Sequence, residues 1–527
     1  MKSHRLLLVA ILISLFHGAE AMAQEKLGKV DFPISCTPEA QAQFNRAVAM
    51  LHSFWFPQAP KAFVAVSETD PGCAMAHWGI AISQRANPLV GPPDSGALKR
   101  GLASIERAKA IGARTQRERD YIAAIEFFYK DSDKLDHRAR VLAYEKAMEQ
   151  LYLAYSQDIE AAVFYALALN EAIDYEDKTY ARQLKAARIL EKVWAKQPEH
   201  PGVLHYLIHT YDFPSLASRG LDTAKRYATV APSAPHALHM PSHVFSMLGM
   251  WQESIKSNRQ ALGVAKNYVH AMDFMVYAYL QGAQDGEAKR LLEESAALYK
   301  TQAPTAELTP TGGVLTVHTA FAAMPARYAI ERGAWADAAA LQPRPSTPAA
   351  DAITYFTRAM GAARNGDVNG ARKDIEQLEA LKNTLTTAKQ KYWADQVEIQ
   401  RRAAAAWVAH AEGKKAEALK SMRSAAALED ASEKHVAMEN RLWPMRELLG
   451  EMLLQLNEPA QALKEFEASF KVAPNRFRGY YGAAKAAERL QDQKKARSFY
   501  AKLVELCKQA DGERPELVEA KAFLAKK

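Results

Sequence analysis

Histidines recur in this chain at a fixed interval. His205 and His209, in the segment HYLIH, are followed 34 residues later by His239 and His243, in HMPSH. His236 and His270 repeat the same interval of 34 in a third register. A period of about 34 residues belongs to helix-turn-helix solenoids, in which each repeat is one helical hairpin stacked on the next. A side chain that returns at that period projects from the same face of successive hairpins. The spacing therefore predicts an all-α chain whose recurring imidazoles share one wall.

Composition agrees with that fold class. Glycine (25) and proline (24) are sparse in 527 residues, while alanine, leucine, glutamate and lysine abound. No stretch alternates apolar and polar residues for long enough to predict a strand. The hydrophobic share of 49% against 24% charged residues is that of a folded protein. The length exceeds one ordinary core, so several domains or one extended array are expected.

Residues 1–23 read as an export signal. Lys2 and Arg5 open it, an apolar run follows from Leu6 to Phe16, and Ala21-Met22-Ala23 supplies the small-residue cleavage pattern. The run is short for a membrane span, and no other segment reaches the length a transmembrane helix needs. A periplasmic or secreted protein with no span in its mature chain is expected. The net charge of +8 is spread along the helices without a block of like charges. That fits a solvated surface and disfavours a nucleic-acid partner. In an oxidising compartment Cys36 and Cys73, at the two ends of one expected hairpin, should pair as a disulfide. Cys507 lies in a helical pattern and reads as a small core residue.

Packing residues outline the repeats. Ala47, Ala59 and Phe63 occupy one hairpin that runs into Pro71, and Leu204, Leu207, Ile208, Tyr211, Ala224 and Tyr227 occupy the hairpin from Pro201. Frames then open at Pro235 and Val269 without a gap. Gly450, Leu453, Ala462, Phe466 and Ser469 mark another frame near the end, followed by Ala484, Ala487, Ala496 and Tyr500. The pattern resembles tetratricopeptide repeats, which implies a right-handed superhelical α-solenoid with a concave groove. Loop-forming composition at 301–313 and 342–350 divides the array. The expected units are an N-terminal solenoid over 36–341, a linker over 342–350, and C-terminal repeats over 351–527 that end in a capping helix from Pro515.

In such repeats the second, fifth and ninth places of the first helix point into the groove. Here the second place holds Gly202, His236 and His270, the fifth His205, His239 and Asp273, and the ninth His209, His243 and Tyr277. Residues four apart on a helix face the same way, so His205/His209 and His239/His243 can each clasp one ion. Asp273 is expected to complete the ligand shell or to orient a ligand from behind. Imidazoles with a carboxylate suit zinc, copper or iron, and the metal stays open. The nearby methionines, Met240, Met247, Met250, Met272 and Met275, read as core. His200 reads as a solvated turn residue, and His52 as core packing beside Trp55.

Catalysis has weaker support. The HExxH pattern is absent, because Tyr206 and Met240 stand where the base would be. Glu171, Asp212 and Asp273 are candidate bases without a motif. The expected function is a metal-binding solenoid, open to being a hydrolytic or oxidative metalloenzyme. The alternative is a metal-free periplasmic scaffold that binds a peptide or protein partner in its groove.

The segments FNRAVAMLHSFWF, DPGCAMAHWGIA, DKTYARQLKAARILE, HPGVLHYLIHTYDFP and APHALHMPSHVFSMLGMWQESIKSN resemble those of a family of exported bacterial tetratricopeptide-repeat proteins. The resemblance covers roughly residues 40–340, and HYLIH and HALHMPSH are its most specific part. It implies the repeat fold and export, and names no reaction.

Overall fold

In a computed structural model of the chain, residues 25–302, 308–311, 313–344, 346–438 and 441–526 are described; the expected export signal lies outside them. Among the described residues the chain is an all-helical solenoid of tetratricopeptide type with no strand. None of its helices is long and apolar enough to cross a membrane.

Each hairpin follows from local rules. Some helices open on side-chain caps: Asp158 accepts from the amides of Glu160 and Ala161, and Thr115 with Glu118 forms a reciprocal capping box. Proline stands in the first turn of Pro38–His52, Pro201–Tyr211, Pro348–Arg364, Pro459–Ser469 and Pro515–Ala525, where no amide partner is lost. The turn between paired helices passes through the left-handed region. Gly249 and Ala283 do so at φ 65° and 53°, and Asn457 and Gln491 at 60° and 61°. Each pair is one repeat apart, so the period is written in the backbone as well as in the histidines.

The hairpins that matter here are Pro201–Tyr211 with Leu221–Val230, the split helix Pro235–His239 and Pro241–Met247 with Trp251–Val264, and Val269–Gln281 with Asp285–Thr301. Pro241 interrupts the middle one as its ring requires. The chain stays helical across the break, because Met240 keeps right-handed helical angles. The turn of helix between His239 and His243 survives.

Cys36 and Cys73 are disulfide-bonded, with Cα atoms 5.2 Å apart, and Cys507 is a buried free thiol. The methionines Met240, Met247, Met272 and Met275 are buried in the apolar cores. A helix begins at Pro348, inside the segment read as a linker. The apolar packing is continuous from Ala283 to Ala520 across that segment, whereas another core runs from Leu27 to Phe245.

The C-terminal part of the chain packs against the N-terminal repeats. The segment after Lys415–Asp430 crosses to the N-terminal repeats and places Val436 and Ala437 in their core. The amide of Glu433 donates to the Tyr175 carbonyl at 2.7 Å, and Lys434 Nζ donates to Asp212 at 2.7 Å. Further along, Trp251 Nε1 donates to the Asn475 carbonyl, and Arg476 is buried among Tyr277, Glu331 and Glu447. The C-terminal repeats thus fold back onto the histidine-bearing ones.

Candidate metal centre

The six histidines of the groove places come together as two triads, each with donor atoms within 4.8 Å of one another. His205 and His209 join His236, and His239 and His243 join His270. The rule is the same in both: fifth and ninth places of one repeat, second place of the next. Advancing the first triad by one repeat generates the second. A third copy fails because the fifth and ninth places then carry Asp273 and Tyr277.

All six side chains are buried, at 0–5% exposure. In the first triad His205 Nε2 lies 3.0 Å from His209 Nε2 and 3.1 Å from His236 Nε2. In the second, His239 Nε2 lies 3.1 Å from His243 Nε2. A tetrahedral ion about 2.0 Å from each nitrogen places its ligand nitrogens roughly 3.3 Å apart, close to these separations.

What stands behind the rings decides how to read these approaches. His205 Nδ1 donates to the His52 carbonyl at 2.6 Å, His239 Nδ1 to Asn258 Oδ1 at 2.6 Å, and His243 Nδ1 to Asp212 Oδ2 at 2.9 Å. Each partner oxygen is an acceptor, so the proton sits on Nδ1 and Nε2 presents a bare lone pair. His239 and His243 therefore aim two lone pairs at each other with no hydrogen between them. Burial holds the rings neutral: the imidazolium pKa of His205 falls to about 3 and that of His239 to about 4. His209, His236, His243 and His270 are also held well below the ordinary imidazole range, by burial first and by their imidazole neighbours second. His236 Nδ1 shares a hydrogen bond of 3.0 Å with the Tyr268 hydroxyl.

Asp273, expected to complete the shell, stands apart from both triads. Its carboxylate lies 3.9 Å from Arg327 Nε, and among the described residues no hydrogen bond ties it to a histidine. Burial raises its pKa to about 7. The orienting carboxylate is Asp212, whose burial pushes its pKa to about 6 against the pull of Lys434.

A third histidine cluster was not legible in the sequence as a site. His52 Nε2 and His200 Nε2 donate to the two oxygens of Glu160 at 2.8 and 2.9 Å. The Tyr206 hydroxyl lies 2.9 Å from His52 Nδ1, and the Val203 amide donates to His200 Nδ1 at 3.4 Å. Burial pushes the Glu160 carboxyl up, but His200 and His52 pull it down to about 2. His200 is therefore no solvated turn residue: it is fully buried. The segment from Glu25 lies over its turn, where the Lys29 amide donates to the Glu199 carbonyl. His52 is a core residue as read, and it also anchors His205 through its carbonyl.

No protein-family model matches the chain, and no curated protein matches it. Among solved structures it is similar to TPR-like solenoids. A human IFIT1 dimer with m7Gppp-AAAA shares 12% identity and a TM-score of 0.40, over 82% of this chain and 90% of that one. The APC/C hetero-tetramer Cut9–Hcn1 shares 9% and 0.28, over 93% and 96%. Naa15/Naa10 bound to HypK-THB shares 14% and 0.25, over 92% and 73%.

Proposed function

We propose that this solenoid is an exported metalloprotein that holds two transition-metal ions, one in each histidine triad. The observation that carries the reading is the pair of lone pairs at His239 and His243, 3.1 Å apart and locked by Asn258 and Asp212. Such an approach between neutral acceptors is repulsive until a cation sits between them. Ligand histidines held from behind by a carboxylate, amide or carbonyl are the usual support of a metal site. An all-imidazole donor set suits copper, zinc or iron and is a poor match for magnesium or calcium. The Cys36–Cys73 disulfide supports an oxidising compartment, in keeping with residues 1–23 as an export signal.

The six imidazoles are buried, which favours ions over a groove-bound peptide as their partner at this place. Elemental analysis of the purified mature protein tests the proposal. Two ions per chain are expected, with near-complete loss in the double variant His205→Ala/His239→Ala. A metal-free wild-type protein that also fails to take up added copper, zinc or iron ends this reading.

A further inference from the structure

Resting on that two-ion reading, we infer that the ions are a copper pair and that their ligand is dioxygen. Charge selects the metal. The six donors are neutral, and the nearby carboxylates are matched: Asp212 accepts from Lys434 at 2.7 Å, and Asp273 lies beside Arg327. Glu160 adds one negative charge further out, where it is held by His52 and His200. Two divalent ions would bring four positive charges into this buried space with almost nothing to offset them. Two monovalent copper ions bring only two. The cost of burying charge rises steeply with its amount, so the donor set favours cuprous ions over zinc or ferrous ions.

Proximity selects the ligand. The triads are stacked side by side: His209 faces His243 and His236 faces His239, each with ring centroids 5.7 Å apart. Two one-electron donors so placed match a molecule that accepts two electrons. Each cuprous ion gives up one electron and becomes cupric; dioxygen takes both and becomes a dianion, with its O–O bond retained as a single bond. No proton moves. The total charge on the ions and their ligand is two positive before the step and two positive after it, so the buried site never has to accommodate more. The surroundings suit a small apolar guest. The Phe54 ring lies 4.4, 6.1 and 5.8 Å from the rings of His205, His209 and His236. Phe274 lies 4.8, 4.8 and 5.1 Å from those of His239, His243 and His270. One phenyl ring is thus packed against every imidazole of each triad.

The experiment loads the full mature chain with cuprous ions under anaerobic conditions, counts bound copper, and then admits dioxygen while uptake and the electron paramagnetic resonance signal are followed. The expected result is two copper ions per chain, one dioxygen taken up per pair, and no cupric resonance, because coupled neighbouring ions cancel their spins. His270→Asn should keep half the copper, take up no dioxygen, and give the resonance of an isolated cupric ion after oxidation. Should that variant fail to fold, judged by circular dichroism, the wild-type measurements decide alone. Two bound copper ions without dioxygen uptake, or with the resonance of separate ions, overturn the pairing and leave the two-ion centre standing. Retention of zinc with exclusion of copper overturns the choice of metal. Failure to bind any metal removes the reading beneath both.

Discussion

His205 and His52 are joined by a single hydrogen bond from ring to carbonyl, yet their ring nitrogens meet opposite kinds of neighbour. In the cluster of His52, Glu160 and His200, every imidazole N–H meets a carboxylate oxygen and every free nitrogen meets a donor. In the two triads, imidazole nitrogens meet one another. The first arrangement pairs every ring nitrogen with a complementary partner, whereas in the second the ring nitrogens of His239 and His243 leave two lone pairs facing each other. Both are buried and rich in imidazole, so neither property separates them. The positions of the protons do.

The comparison breaks most visibly at Glu160. Glu160→Ala strands two buried N–H groups and should cost about 3–5 kcal/mol of stability, as loss of one partner from a buried ion pair does. The loss should be the same with and without metal. His243→Ala, by contrast, should change the metal-free protein less and abolish the share of the metal's stabilisation that the ion of the second triad confers. Urea unfolding of both variants in the presence of a chelator and of copper measures this. Equal metal dependence in the two would mean that the clusters do not differ as described.

Acid sharpens the same distinction. The Glu160 carboxyl is held at about 2 against an ordinary 4.5. A depressed carboxyl stabilises fully above its unfolded pKa, and the contribution is lost as pH falls from 4.5 towards 2. A shift of that size is worth on the order of 3 kcal/mol. Burial lowers the pKa of His52, so below about 6.5 the unfolded chain takes up that proton first and stability again falls. The metal-free protein should therefore lose stability steadily on acidification below about 6.5, and Glu160→Gln should flatten the limb below 4.5. An unchanged limb in that variant would show that Glu160 is not the carboxylate responsible.

Much of this was legible from the chain, and the reason is periodicity. The recurrence of histidines at one interval placed all six on matching faces, and the turn positions at Gly249, Ala283, Asn457 and Gln491 follow the same clock. Sequence spacing could not say how the six divide, because the grouping of second-place residues with the preceding repeat depends on hairpin tilt. Nor could it find the supports. Asn258 and Tyr268 lie on the outer helix and its turn, where side-chain direction is set by packing. Lys434 lies 222 residues from Asp212, and nothing local announces that its segment packs against the N-terminal repeats. His200 misled because its cover comes from the extended segment after Glu25, which carries no pattern.

A smaller effect separates the clusters through Gly202. A methyl group there would meet the His52 ring at 2.6 Å from Nδ1, so Gly202→Ala must push His52 aside. Overpacking of this kind costs about 1–3 kcal/mol. Because the His52 carbonyl holds His205, the first triad should lose metal affinity while the second keeps it. Equal weakening at both sites in a two-step copper titration would contradict that separation.

The finest test removes the carboxylate behind His243. Asp212→Asn alone would strand the buried ammonium of Lys434, so the informative variant is Asp212→Asn with Lys434→Met. Substituting a support of this kind costs about 10–100-fold in affinity. Among the described residues only the second triad has a carboxylate behind a ligand ring; in the first, His205 is backed by a neutral carbonyl. The carboxylate makes the His243 ring the more basic donor, so in the wild-type protein the second triad should fill first. In the double variant the two sites should fill together, or in reversed order, and competition with a chelator of graded strength resolves the two cases. If the wild-type order persists in the variant, the inequality of the triads lies in hairpin geometry and not in the charge behind His243.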